Sequence, residues 1–152
     1  MKIEPAKTAD HAALLAVWER AVRATHDFLC EDDIVSIRDA VRDHALPALE
    51  LYVTRDDEGA PIAFMGLAGN VVEALFVDPS CHGRGVGRAF LDHARTLKGS
   101  LKVDVNEQNP RATAFYLKYG FVQIGRSPLD SDGRPFPILH LAEPGVEKGT
   151  AE

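Results

Sequence analysis

Several common routes to a function are closed to this chain by what it lacks. Its 152 residues contain two cysteines, Cys30 and Cys81. Two such residues set up neither a disulfide framework nor a metal-ligand pattern, so no metal is expected. Positive charge is in deficit, with 17 lysines and arginines against 23 acidic residues and a net charge of −6. That balance argues against a nonspecific hold on nucleic acid or on an anionic membrane, and it leaves a basic acceptor open. No apolar run approaches the roughly 18 residues that span a bilayer. The opening MKIEPAKTAD has no apolar signal core, so the expectation is a protein that is neither secreted nor membrane-spanning and works in a reducing cytoplasm. Internal repeats and composition breaks are missing too. A single domain over residues 1–143 is expected, with residues 144–152 as a flexible tail.

What is present is an ordinary core-forming composition, 45% hydrophobic. A chain of this length can bury about 70% of its unfolded surface. Residues Lys2–Glu4 read as a short first strand. Thr8 or Asp10 is placed to cap a helix running to Thr25, with Leu14, Trp18, Ala21, Val22 and Thr25 on one face. A second helix is expected over Glu31–Ala45, with Ile34, Ile37, Val41 and Ala45 on one side and Pro47 as its stop. LYVTRD and PIAFMGLA read as strands joined by the turn DDEG. VVEALFV, at Val71–Val77, is so nearly continuous in apolar residues that it reads as a strand buried on both faces. Val86, Phe90, Ala94 and Leu97 then mark a further helix. LKVDVN alternates as a strand, with Leu101, Val103 and Val105 on one face. Asn109-Pro110 opens another helix, closed by Gly120, and FVQIG and PFPILHLA close the chain as strands. Strands and helices are mixed, so the class is α/β or α+β in packed layers.

The most informative stretch is DPSCHGRGVGRAFL, at Asp78–Leu91. It follows an apolar strand and feeds a helix. A helix start carries about four unpaired N–H groups and roughly half a positive charge, which suits an anion. Glycines let a phosphate approach the backbone, and Arg84 and Arg88 can add charge-assisted bonds. A plain turn with surface arginines is the bland alternative. A nucleotide P-loop is not supported, because Gly87 is followed by Arg88 and Ala89 and not by Lys-Ser or Lys-Thr. A dinucleotide fingerprint fails as well: counted from Gly83 or from Gly85, the third glycine falls on Arg88 or Phe90.

Read together, Val77-Asp78-Pro79, the loop HGRGVG and the later NPRATAFYLKYGF (Asn109, Ala112, Tyr116, Gly120, Phe121) resemble the GNAT family of acyl-CoA-dependent N-acyltransferases. Within that family, ATHDFL, ALFVDP and VNEQN are similar to the bacterial YjaB type. The resemblance covers nearly the whole chain. It implies a mixed, mostly antiparallel sheet of about seven strands with about four helices. It also implies acetyl-CoA as co-substrate, an amine acceptor that is a peptide or a small molecule, and a monomer or homodimer. One departure stands out: the loop opens on His82, where the family has Gln or Arg.

The resemblance distributes roles. Leu75, Phe76 and Val77 would present backbone to the cofactor. His82, Gly83, Arg84, Gly85, Val86, Gly87 and Arg88 would cradle its diphosphate. Asn109 would stand near the pantetheine arm, although it is also a good helix cap. Tyr116 would serve the departing thiolate, or else be a packed core tyrosine. Glu73 would relay a proton from the amine, or else be a strand-end carboxylate reaching solvent or pairing with an arginine. Asp104 is a second candidate base. His26 and Phe28 would line the acceptor pocket, or else anchor a loop. Uncharging a lysine of pKa ~10.4 at pH 7 costs roughly 4–5 kcal/mol, so a proton acceptor is worth having. A chain that binds acyl-CoA without turnover, as a sensor or interaction module, is the rival reading.

Overall fold

The computed structural model describes residues 1–144; the expected tail, apart from Pro144, lies outside the described residues. Seven strands form one sheet in the order β1-β2-β3-β4-β5-β7-β6. They are β1 (Glu4–Pro5), β2 (Glu50–Arg55), β3 (Pro61–Ala68), β4 (Val71–Val77), β5 (Lys102–Asn106), β6 (Val122–Ser127) and β7 (Ile138–Ala142). The pairs β1–β2, β2–β3, β5–β7 and β6–β7 are antiparallel, and β4–β5 is parallel. Around them are α1 (His11–Thr25), α2 (Glu31–Ala40), the single turn α3 (Leu46–Ala48), α4 (Val86–Lys98) and α5 (Pro110–Tyr119). The expected mixed sheet with four main helices is therefore what the chain forms. The chain also resolves into two compact units, one of Met1–Ala68 with Glu73–His93, the other of Gly69–Val72 with the chain from Ala94 onward.

In the first unit, α1 buries Leu14, Val17, Trp18, Ala21 and Val22, the stripe its 3.6-residue period requires. Leu14, Val17, Trp18 and Val22 meet Ile34, Leu46, Leu51, Val53 and Phe64 in one cluster. At the edge, Arg55 holds Asp10 with two bonds of 2.9 and 2.8 Å and Glu4 with a third of 2.9 Å. The second helix runs further than expected. A π turn at Val41–Ala45 leads into Leu46–Ala48, and Pro47 sits inside that last turn. A proline within a helix lacks one N–H and crowds the carbonyl four residues back; the wider π turn just before it gives that ring room.

In the second unit, Val103 and Val105 are buried on one face of β5, as the alternation requires, and Leu101, just before the strand, is buried too. Asn109 Oδ1 accepts the Ala112 N–H at 3.2 Å as the N-cap of α5, and Gly120 ends that helix with φ 128°. One expectation is corrected here. Leu97 lies exposed near the end of α4, while Leu101 is buried. Glu143, the last residue of the expected domain, is buried: its Oε1 accepts the Leu101 N–H at 2.9 Å, its own N–H donates to Leu101 O at 3.0 Å, and Arg95 pairs with it at 3.1 Å. A buried carboxylate persists because all these bonds replace its water.

Candidate active site

Strand β4 departs from its expected burial. Only Val72 is buried; Ala74, Leu75, Phe76 and Val77 are half-buried, and Glu73 is exposed. Its parallel pairing with β5 is formed at Val71–Lys102 and Val72–Val103. Ala74 and Phe76 pack against the core cluster built on α1, yet they, Leu75 and Val77 all keep part of their surface exposed. Glu73 has no hydrogen-bond or ion-pair partner among the described residues, so the reading of a carboxylate paired to an arginine falls away.

The strand delivers the chain into an anchored turn. The Asp78 N–H donates to Ile62 O at 2.8 Å. Asp78 Oδ1 accepts from Ser80 N at 3.1 Å and Ser80 Oγ at 2.8 Å, and Arg20 Nε donates to Oδ2 at 2.7 Å. Burial alone would raise the Asp78 carboxyl; the three donors from Ser80 and Arg20 outweigh it and hold its pKa below the usual range. Buried Cys81 closes the 3₁₀ turn Pro79–Cys81.

The glycine loop follows. His82 is exposed, and its Nε2 lies 3.0 Å from Val77 O. The bond requires the proton on Nε2, so the ring ties the loop's first residue to the end of β4 and leaves Nδ1 as an acceptor when neutral. Gly83 and Gly85 have φ of 79° and 76°, which side-chain-bearing residues rarely adopt. A Cβ at either position would meet nothing within 4 Å. These glycines are therefore demanded by backbone shape, and they leave open space over the amides at the start of α4. That space is what a diphosphate needs. Gly87 is inside the helix. Arg84 is exposed with no partner among the described residues, and Arg88 is also exposed.

Tyr116, on α5, is buried, with its ring edge-on to Phe115 and Phe121 at centroid distances of 5.1 and 5.7 Å. Its hydroxyl has no hydrogen-bond partner among the described residues. No fully buried side-chain nitrogen or oxygen among those residues lacks one, so that hydroxyl still reaches an opening. Burial pushes the phenol pKa well above its ordinary 10. Tyr116 therefore keeps its proton at neutral pH and is a hydrogen-bond donor.

His26 ends α1, and its ring lies 5.3 Å from that of Phe28. Thr25 Oγ1 donates its single proton to Ala21 O at 2.8 Å and lies 2.8 Å from His26 Nδ1. The hydroxyl can then only accept from Nδ1–H, which leaves the lone pair on Nε2. Burial lowers the His26 pKa, with Asp27 opposing weakly. His26 and Phe28 thus meet at the end of α1, and in the neutral ring of His26 the Nε2 lone pair is a hydrogen-bond acceptor. Asp104, the other candidate base, is engaged with His140 in the second unit.

Comparison with known proteins gives the family. The model of the GNAT acetyltransferase domain matches residues 47–123. The chain belongs to the GNAT acetyltransferase family. It is an acetyltransferase, similar to peptidyl-lysine N-acetyltransferase YjaB of Salmonella typhimurium, with 44% identity over 86% of this chain and 90% of the relative. The apo solution structure of YjaB from Escherichia coli matches this GNAT chain with a TM-score of 0.86 and 40% identity, covering 94% and 97% of the two chains. A crystal structure of the PaiA N-acetyltransferase of Thermoplasma acidophilum, in complex with coenzyme A, shares the fold with a TM-score of 0.69 at 18% identity over 92% and 98%. Among the described residues, no helix is long and apolar enough to cross a membrane.

Proposed function

We propose that this GNAT chain transfers an acetyl group from acetyl-CoA to the side-chain amine of a peptide lysine, by direct attack of the amine, with residues 1–143 acting as one catalytic domain. The observation that carries the reading is the loop from His82 to Arg88: two left-handed glycines with open space beside them, at a helix start, after a half-buried apolar strand. The peptide acceptor is supported by the name and 44% identity of the YjaB relative and by the net charge of −6, which favours a cationic partner.

When bound, acetyl-CoA supplies an acyl group already activated as a thioester. The chain's own residues do the rest. The amides of Gly83, Arg84, Gly85, Val86 and Gly87 would hold the diphosphate, with Arg84 and Arg88 adding charge. His82 keeps the loop tied to Val77. Leu75, Phe76 and Val77 offer backbone to the pantetheine and an N–H to an acyl oxygen. Asn109 Nδ2 remains for a ligand while Oδ1 caps α5. Tyr116 gives a hydrogen bond to the sulfur. It does not give up its proton outright, since a phenol raised above 10 would have to protonate a thiolate whose acid has a pKa of about 8.5. Glu73 takes the amine's proton through water, and its exposure leaves it reachable. A second assignment for that proton, His26 Nε2, is favoured by its fixed tautomer beside Thr25.

The test is CoA release with a lysine peptide, for the native chain and for Tyr116→Phe. A 10- to 100-fold loss of kcat, about 1.4–2.8 kcal/mol, is expected with little change in acetyl-CoA affinity. Equal activity removes Tyr116 from the chemistry; tight CoA binding without turnover on any amine removes the acetyl transfer. The pH profile separates the two bases. With His26 as base, the acid limb of kcat/KM falls below pH 6.5 and disappears in His26→Gln; with Glu73 as base, His26→Gln keeps the limb and Glu73→Gln loses it.

A further inference from the structure

The second unit carries a hydrogen-bonded relay that the acetyl-transfer reading does not use. His140 on β7 has Nδ1 2.7 Å from Asp104 Oδ1 on β5, and its Nε2 is 2.6 Å from Ser127 Oγ at the end of β6. The carboxylate can only accept, so Nδ1 carries the proton, and in the neutral ring Nε2 accepts from the Ser127 hydroxyl. The sheet register builds this arrangement. His140 stands opposite Asp104 on one side and Gly125 on the other, with Ser127 diagonal to it. A register shift between Gln123 and Gly125 adds one residue to β6, and this brings Ser127 onto the face of His140. The group is not sealed: the Asp104 and His140 side chains are 44% and 35% exposed. Ser127 is half-buried, and Gly125 leaves the imidazole uncovered by a neighbouring side chain.

We infer that Ser127 is an acyl-accepting nucleophile for small activated esters, with His140 as its base and Asp104 positioning the imidazole. The three side chains have the order and tautomer of a serine–histidine–aspartate relay. In the step, Ser127 Oγ forms a bond to the ester carbonyl carbon and its proton passes to His140 Nε2. The bond from that carbon to the leaving oxygen breaks, and His140 returns the proton to the departing alcohol. The product is an acyl ester on Ser127. Water, deprotonated by the same nitrogen, then hydrolyses it to the free acid and regenerates the hydroxyl. No other co-reactant is needed.

The full chain, without CoA, is incubated with p-nitrophenyl acetate while p-nitrophenol release, intact mass and peptide maps are followed. A burst near one equivalent and a single acetyl group on Ser127 are expected. His140→Asn and Asp104→Asn should slow acylation, the first by about 10²–10⁴-fold, the range of a positioned general base. Ser127→Ala should remove the adduct. Their melting temperatures, read alongside, report folding. Where a variant does not fold, the unaltered chain still decides the matter with diisopropyl fluorophosphate: Ser127 should become phosphorylated, with loss of fluoride and a proton. No adduct on Ser127 from either reagent overturns the inference, and so do equal acylation rates in the native chain and a folded His140→Asn. Because CoA is absent, either result speaks to Ser127 alone and not to acetyl transfer.

Discussion

Strands β3 and β4 read alike, PIAFMGLA and VVEALFV, yet they meet different surroundings. In β3, Ala63, Phe64, Met65 and Leu67 are at most 1% exposed. In β4 the apolar residues from Ala74 to Val77 stay half-buried. The reason for the first is plain: β2 pairs along β3 from Glu50–Leu67 to Arg55–Pro61, and Phe64 belongs to the cluster built on α1. The contrast shows that an apolar run of strand length promises burial without saying what supplies it. In β3 the protein supplies it. On the proposed reading, in β4 a ligand completes it.

The largest effect should come from the β3 side. Phe64→Ala removes a fully buried ring and should lower stability by about 3–5 kcal/mol, read from denaturant midpoints. On the β4 side, Gly85→Val forces a branched side chain to φ 76° and places it over the loop amides. Coenzyme A affinity, by calorimetry, should fall at least about tenfold, about 1.4 kcal/mol; unchanged affinity would detach the loop from the cofactor. Leu75→Ala sharpens the contrast. Half-buried, it should cost only about 1 kcal/mol of stability, roughly half the value of a fully buried leucine, while weakening coenzyme A binding. A loss as large as that at Phe64 would erase the distinction between the strands.

Smaller effects follow from charge. Hydrogen bonds from Arg55, then from Lys7 N, lower the Asp10 pKa to about 2 from 3.8. The native state thus binds fewer protons than the unfolded state between these values. The pair's contribution is complete above pH 3.8 and is lost as pH falls through about 2. The pair is partly solvated, so about 1 kcal/mol is expected, and Arg55→Leu should flatten acid unfolding in that window. Glu73→Gln should be the mildest for stability, within about 0.5 kcal/mol, because the carboxylate has no partner to lose.

Much of this was legible beforehand, for local reasons. The Asn109 cap and the Gly120 terminator depend on residues a few positions apart. The α1 stripe and the β5 alternation depend on period alone. The glycine loop was legible because positive φ selects glycine. The misses share a nonlocal cause. Pro47 stands inside a helical turn because a π turn precedes it. The relay at Ser127 was missed altogether; its members are 13 and 36 residues apart, and Asp104 was weighed alone.

The order of residues determined by itself the element sequence, the two stripes that drive the cores, and a phosphate-suited turn between β4 and α4. Those properties come from backbone preference and from period, which need no partner. Tertiary structure alone decided which apolar strand stayed half-open, and that Asp104, His140 and Ser127 meet. Such outcomes depend on the register between strands, and a one-residue shift in pairing would have turned those side chains to the opposite face.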